Sequence, residues 1–265
     1  MITVGIDIGT AAVKIAFAGD HELLWCKKLP STYMNPDACD KLFNEGLDEL
    51  KLNKSDIAGI MATGYGAKLF KYADTTVNEI SANAMGAWLL SGKTARTIIN
   101  VGGQDVKVIS MSPSGKVADF KMNDKCAAGT GRFFEMAERI LNIPMREFSD
   151  LGLASQSPLH INNTCAVFAE TELVSLISQG KDKNDIIAGL NRSIANRIAS
   201  LAKEMELDDD IYFDGGPAVN QCLLAHLNRA LARPVKVLEQ PQFTVAFGAA
   251  SMCRSNIEKT AGAML

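Results

Sequence analysis

The chain repeats itself. Residues Ile99 to Val108 lie over Ile6 to Ile15 without a gap, in the register that puts Asn100 on Asp7, Gly102 on Gly9 and Lys107 on Lys14. In both copies apolar residues alternate into a glycine-bearing turn and alternate again on the way out, which is the pattern of a β-hairpin. A further strand is expected after each, over Glu22 to Leu29 and over Lys116 to Met122. A chain that starts twice in this way is expected to fold as two related halves.

Helices and strands alternate after each start. Pro36 opens a helix to about Leu50, and Ile57 to Ala62 reads as a strand closed by Thr63, Gly64, Tyr65 and Gly66. Glu79 to Leu90 reads as a helix ended by Gly92. In the second half a helix runs to about Leu141, another follows Cys165, and a long one spans Lys183 to about Glu206. Ile211 to Asp214 is a strand entering a Gly215–Gly216 turn, with Pro217 at the first helical position beyond it. Val235 to Leu238 is the last strand, and Phe243 opens the closing helix. The fold class is α/β.

Composition narrows the function. With 47% apolar and 22% charged residues the chain reads as an ordinary globular protein. A net charge of -3 and the lack of basic blocks argue against nucleic-acid binding. No apolar run is long enough for a bilayer, and a strand starting at the N-terminus leaves no room for a signal peptide. The six scattered cysteines are then expected as reduced thiols in the cytoplasm.

Three glycine turns follow strands. Glycine lets the backbone turn tightly and brings N–H groups close to an anion. The first turn offers Gly9, Thr10, Ala11 and Ala12, the second Gly102, Gly103 and Gln104, the third Gly215, Gly216 and Pro217. Asp7 would suit a hydrated Mg²⁺, and Asp105 or Gln104 would position the metal or a water. The third turn suits the adenosine end of a nucleotide. Lys14 and Lys107 read either as phosphate contacts or as solvated strand-end lysines. One such turn could be purely structural; three point to ATP in a cleft between two lobes. No Walker-A motif is present.

Two cysteines stand apart. Cys126 precedes a glycine-rich turn and an amphipathic run through Phe133, Met136, Ala137, Ile140 and Leu141, with Thr130 as the expected N-cap. Cys165 likewise precedes a helical run. A helix N-terminus favours thiolate, so the pair suggests metal or redox work, against the plainer reading of two buried structural thiols. Cys26, Cys39, Cys222 and Cys253 lie in apolar or helical patterns and are assigned to packing.

The hairpins resemble the actin, sugar-kinase and heat-shock ATPase superfamily. The segments around Cys126 (Asn123 to Phe133) and Cys165 (Thr164 to Glu172), with Ile99 to Lys107 and Ala62 to Gly66, resemble the activators of 2-hydroxyacyl-CoA dehydratases, in the BadF/BadG/BcrA/BcrD ATPase family. The resemblance spans the chain and implies an actin-like fold of two lobes, residues 1–93 with 243–265 and residues 94–242, each a mixed sheet flanked by helices. It implies ATP and Mg, with Asp7, Gln104 and Asp105 catalytic. It further implies a homodimer whose Cys126 and Cys165 share one 4Fe–4S cluster, since such a cluster takes four thiolates and each chain offers two. Zinc is the chemical rival, but the usual paired-cysteine spacing is absent. The partners implied are a ferredoxin or flavodoxin as donor. The acceptor is a 2-hydroxyacyl-CoA dehydratase-like or double-cubane-cluster iron–sulfur protein. Asn100 departs from the family, where many members carry Asp. The glycine turns alone would equally fit a small-molecule kinase of this fold.

Overall fold

The computed structural model describes residues 1–31, 36–123, 129–161 and 166–263. The chain divides into two compact units, Met1–Arg96 with Met111–Ala118 and Leu238–Leu265, and Thr97–Ser110 with Asp119–Val237.

In the first unit, β1 (Ile2–Ile8), β2 (Ala12–Gly19) and β3 (Glu22–Pro30) form an antiparallel meander. Helix α1 (Pro36–Leu50) leads to β4 (Ile57–Thr63), parallel to β1, and to the two-residue β5 (Thr75–Thr76). Helix α2 (Glu79–Leu90) starts where Asn78 Oδ1 accepts the Ser81 N–H at 2.7 Å, a side-chain N-cap. The sheet order is β3-β2-β1-β4-β5. One face is covered by α1 through Cys39, Leu42, Phe43 and Leu47, whose helical spacing puts them on a single stripe.

In the second sheet, β6 (Thr97–Val101) and β7 (Val106–Met111) repeat the antiparallel hairpin, and β8 (Val117–Asn123) lies beside β7. Then come α3 (Gly131–Leu141), the short α4 (Phe148–Leu153), α5 (Ala166–Ser178) and α6 (Lys183–Ala202). Strand β9 (Ile211–Gly215) runs parallel to β6, α7 (Gln221–Leu231) follows, and β10 (Val235–Val237) runs parallel to β9. The order β10-β9-β6-β7-β8 is that of the first sheet read from its other edge. The duplication seen in ten residues therefore extends to whole sheets. A core of Phe133, Phe134, Phe148, Ile187, Ile194 and Phe213 fills this unit.

The last helix, α8 (Thr244–Gly262), belongs to the first unit. It lies against β1 so closely that a Cβ on Gly5 would stand 1.9 Å from the Ala246 carbonyl oxygen. Among the described residues, no helix is long and apolar enough to cross a membrane.

One boundary needs correcting. The long helix stops at Ala202 rather than near Glu206, because the Glu204 N–H bonds to Leu201 O in a tighter turn. Pro217 stands in the first turn of the helical segment beyond β9, as expected; that segment is a 3-10 turn, Gly216–Val219, and α7 begins after it, capped by Asn220, whose Oδ1 accepts the Leu223 N–H at 3.1 Å.

Candidate functional site

The first glycine turn is closed by the Gly9 N–H donating to Ala12 O at 3.1 Å. Asp7 and Lys14 are register partners across the hairpin, and Lys14 Nζ lies 2.9 Å from Asp7 Oδ2. The Asp7 carboxylate is buried, while Lys14 keeps partial exposure. The loop after β4 packs on this mouth: Gly66 N–H donates to Ile8 O at 2.9 Å. Gly64 has φ 85°, and a Cβ there would meet both Asp7 Oδ1 and Ile8 O at 2.7 Å. Only glycine adopts that backbone without strain while admitting the carboxylate.

The second turn is built alike. The Gly102 N–H donates to Asp105 O at 2.9 Å, the counterpart of the Gly9 bond. The side chains differ. Asn100, in the place of Asp7, donates from Nδ2 to Asp214 Oδ1 at 2.7 Å, and both groups are buried. Lys107 Nζ lies 2.8 Å from Asp105 Oδ1, again fully inside. Asp105 Oδ1 reaches to where a Gly102 Cβ would be, 2.3 Å away. Gln104 is exposed at the tip. Both lysines thus pair with carboxylates, which answers the solvated-lysine alternative.

The third turn is the counterpart of the Gly64 loop. Asp7 pairs with Thr63 across the parallel β1–β4 ladder, and Asn100 with Asp214 across β6–β9. Gly215 has φ 95°, and its Cβ would stand 2.1 Å from Val101 O, as that of Gly64 would from Ile8 O. Gly216 is exposed, with open space where a Cβ would stand. Asp214 and Gly64 were missed as site residues. The signal was present, since Gly64 directly follows β4 and Asp214 stands at the end of β9 just before Gly215, but their neighbours lie on distant strands.

Each turn holds a glycine whose Cβ would crowd the turn's own neighbours, and glycine turns after strands are the kind of backbone that serves an anion such as a nucleotide phosphate. The second turn has a further connection. Gly131 and Arg132, the first residues of α3, donate their N–H groups to Gly102 O and Gly103 O, each at 2.9 Å. These are N–H groups that an α-helix leaves without intrahelical partners. Thr130 stands at the N-cap as expected, without a side-chain capping bond to the helix.

Cys126 and Cys165 lie outside the described residues, in the segments just ahead of α3 and α5. Among the described residues no cluster of three or more His, Cys, Asp or Glu could hold a metal. Burial pushes the thiols of Cys39, Cys222 and Cys253 up to about 11, and raises that of half-buried Cys26. Such thiols stay protonated at neutral pH and make poor metal ligands.

The model of the BadF/BadG/BcrA/BcrD ATPase family matches residues 4–252. The (R)-2-hydroxyglutaryl-CoA dehydratase activating ATPase of Acidaminococcus fermentans is 38% identical over 94% of this chain and 95% of its own. The activator of the 2-hydroxyisocaproyl-CoA dehydratase from Clostridium difficile, solved with bound ADPNP, superposes with a TM-score of 0.92. It is 32% identical, covering 99% of this chain and 97% of that one. A ROK-family glucokinase from Streptomyces griseus shares the fold alone, at TM-score 0.60 and 13% identity, over 96% of this chain and 100% of that one.

Proposed function

The chain belongs to the BadF/BadG/BcrA/BcrD ATPase family, and from that premise we propose that it is an ATP-driven, one-electron activator of a partner iron–sulfur enzyme of the 2-hydroxyacyl-CoA dehydratase type or a double-cubane relative. It works as a homodimer. Cys126 and Cys165 of two copies supply the four thiolates for one 4Fe–4S cluster, which when bound takes up and passes on a single electron. The four other cysteines are unsuited to that task by burial. Gly9, Thr10, Ala11, Ala12, Lys14, Gly102, Gly103, Gln104, Gly215, Gly216 and Pro217 bind the nucleotide. Asp7 and Asp105 hold hydrated Mg²⁺, and with Gln104 orient the attacking water.

The observation that carries this reading is the pair of hydrogen bonds from the start of α3 to Gly102 O and Gly103 O. They tie the candidate phosphate turn to the helix directly behind Cys126. A turn that shifts as the γ-phosphate leaves shifts α3, and with it the thiol's surroundings. A ferredoxin or flavodoxin reloads the dimer from the cytoplasm.

Anaerobic reconstitution tests the reading. The expected product is a brown dimer with about four iron atoms that hydrolyses ATP, and Cys126→Ser or Cys165→Ser loses the iron but keeps ATP binding. A colourless monomer that phosphorylates a small molecule, unaffected by either substitution, would make it a kinase. Bound zinc without a dithionite response would make the thiols a structural site.

A further inference from the structure

The two halves share a backbone but not a carboxylate position. In the first, the residue before the turn on β1 is Asp7, and its parallel neighbour on β4 is Thr63. In the second, the residue on β6 is Asn100, and its neighbour on β9 is Asp214. The acid has crossed to the adjacent strand. Thr63 uses its hydroxyl on the Val77 carbonyl at 2.8 Å, an ordinary structural bond. Asp214 instead accepts from the Asn100 amide at 2.7 Å, with no surface exposed to solvent.

That bond fixes the amide. The hydrogen bond runs from Asn100 Nδ2 to Asp214 Oδ1, so the branch of the amide that faces Asp214 is the donor and the other branch is Oδ1. A hydrated divalent cation turns its waters' hydrogens outward and seeks oxygen acceptors. An amide with Nδ2 outward would oppose it; one with Oδ1 outward serves it. We propose that Asp214 is a positioning residue of the second glycine turn, holding Asn100 so that the atom offered to a cation-bound water is its carbonyl oxygen. The pair then does what a lone aspartate on β6 would do, with the charge set one strand back. This rests on the nucleotide reading of the turns.

The experiment measures affinity for a non-hydrolysable ATP analogue by calorimetry, with Mg²⁺ and with EDTA, beside kcat, KM and Tm for the full chain. In Asp214→Asn the amide loses its one-way partner. The gain in affinity from Mg²⁺ is expected to fall about tenfold, and kcat to fall by about as much with KM little changed. The exchange Asn100→Asp with Asp214→Asn restores an acid on β6 and is expected to recover both within about threefold. A structural role alone would lower Tm without that recovery. Should Asp214→Asn not fold, Asn100→Asp with Asp214→Thr, which copies the Asp7–Thr63 arrangement, decides the matter. Mg²⁺-dependent binding retained there supports the proposal, and its loss overturns it. An Asp214→Asn protein with unchanged Mg²⁺ dependence and kcat overturns the proposal alone. A wild-type chain that binds no nucleotide overturns the site reading as well.

Discussion

The carboxylate beside the first glycine turn stands on β1 and faces its lysine across the hairpin; beside the second turn an amide stands there, and two acids serve it from other positions. Asp7 pairs with Lys14 on the neighbouring strand, whereas Lys107 pairs with Asp105 two residues away on its own side of the turn. Asn100 is held by Asp214. The turns themselves are alike, each closed by a glycine N–H to a carbonyl three residues on. Backbone geometry has thus been kept through the duplication while the charges were rewired. The reason is physical. A turn tolerates few residue types at its glycine, but a buried acid can be relocated wherever another strand brings a donor within reach.

The largest test copies one half onto the other. Gly5 and Ile98 occupy the same register; Ile98 is a buried, full-sized side chain, but Gly5 meets the α8 backbone at Ala246 O and Ala250 N. Gly5→Ile is expected to cost more than about 4 kcal/mol, read as loss of soluble folded protein or of the urea transition. A normal transition would mean that α8 can step away from β1.

A smaller difference separates the lysines. Lys107 is 3% exposed and its partner Asp105 8%, whereas Lys14 is 21% exposed. Lys107→Met strands a buried carboxylate and is expected to cost about 3 kcal/mol or more. Lys14→Met should cost less, because water can reach Asp7 from the side that Lys14 leaves open. Urea unfolding of the two variants gives the order, and equal losses would show the two pairs to be equally dry.

The smallest effects lie at the surface. In the second unit Asp185 accepts from Ser155 Oγ at 2.6 Å and from the Ser157 N–H at 3.0 Å, and these bonds hold its carboxyl below the ordinary range. In the first unit the Arg254 guanidinium does the same to Asp20. A depressed folded pKa means stability that is present above the unfolded value, about 3.9, and lost as pH falls through the folded one. Asp185→Asn and Asp20→Asn should therefore lie below the wild type at neutral pH and converge with it in acid. Added salt should close the Asp20 gap, which is ionic, and leave the Asp185 gap, whose donors are neutral. Unfolding midpoints against pH and NaCl check both.

Much of this was legible beforehand. Period-two alternation gave the two hairpins, and helical spacing gave α1 and α3. What escaped was short. Helix α4 has six residues, too few to display a period, and β5 has two, both exposed, held only by pairing with β4. The Gly64 loop was read as the end of a strand and as a segment of the family resemblance, but not as the structural counterpart of Gly215.

By itself, then, the sequence determined the duplication, the glycine turns at Gly9, Gly102 and Gly215, and the family, because all of these are local patterns. Tertiary structure decided which acid meets which base. Asn100 and Asp214 are brought together by the parallel register of β6 on β9, and Gly131 meets Gly102 because α3 returns to the turn. Such pairings depend on strand order and register, which no short window of residues contains.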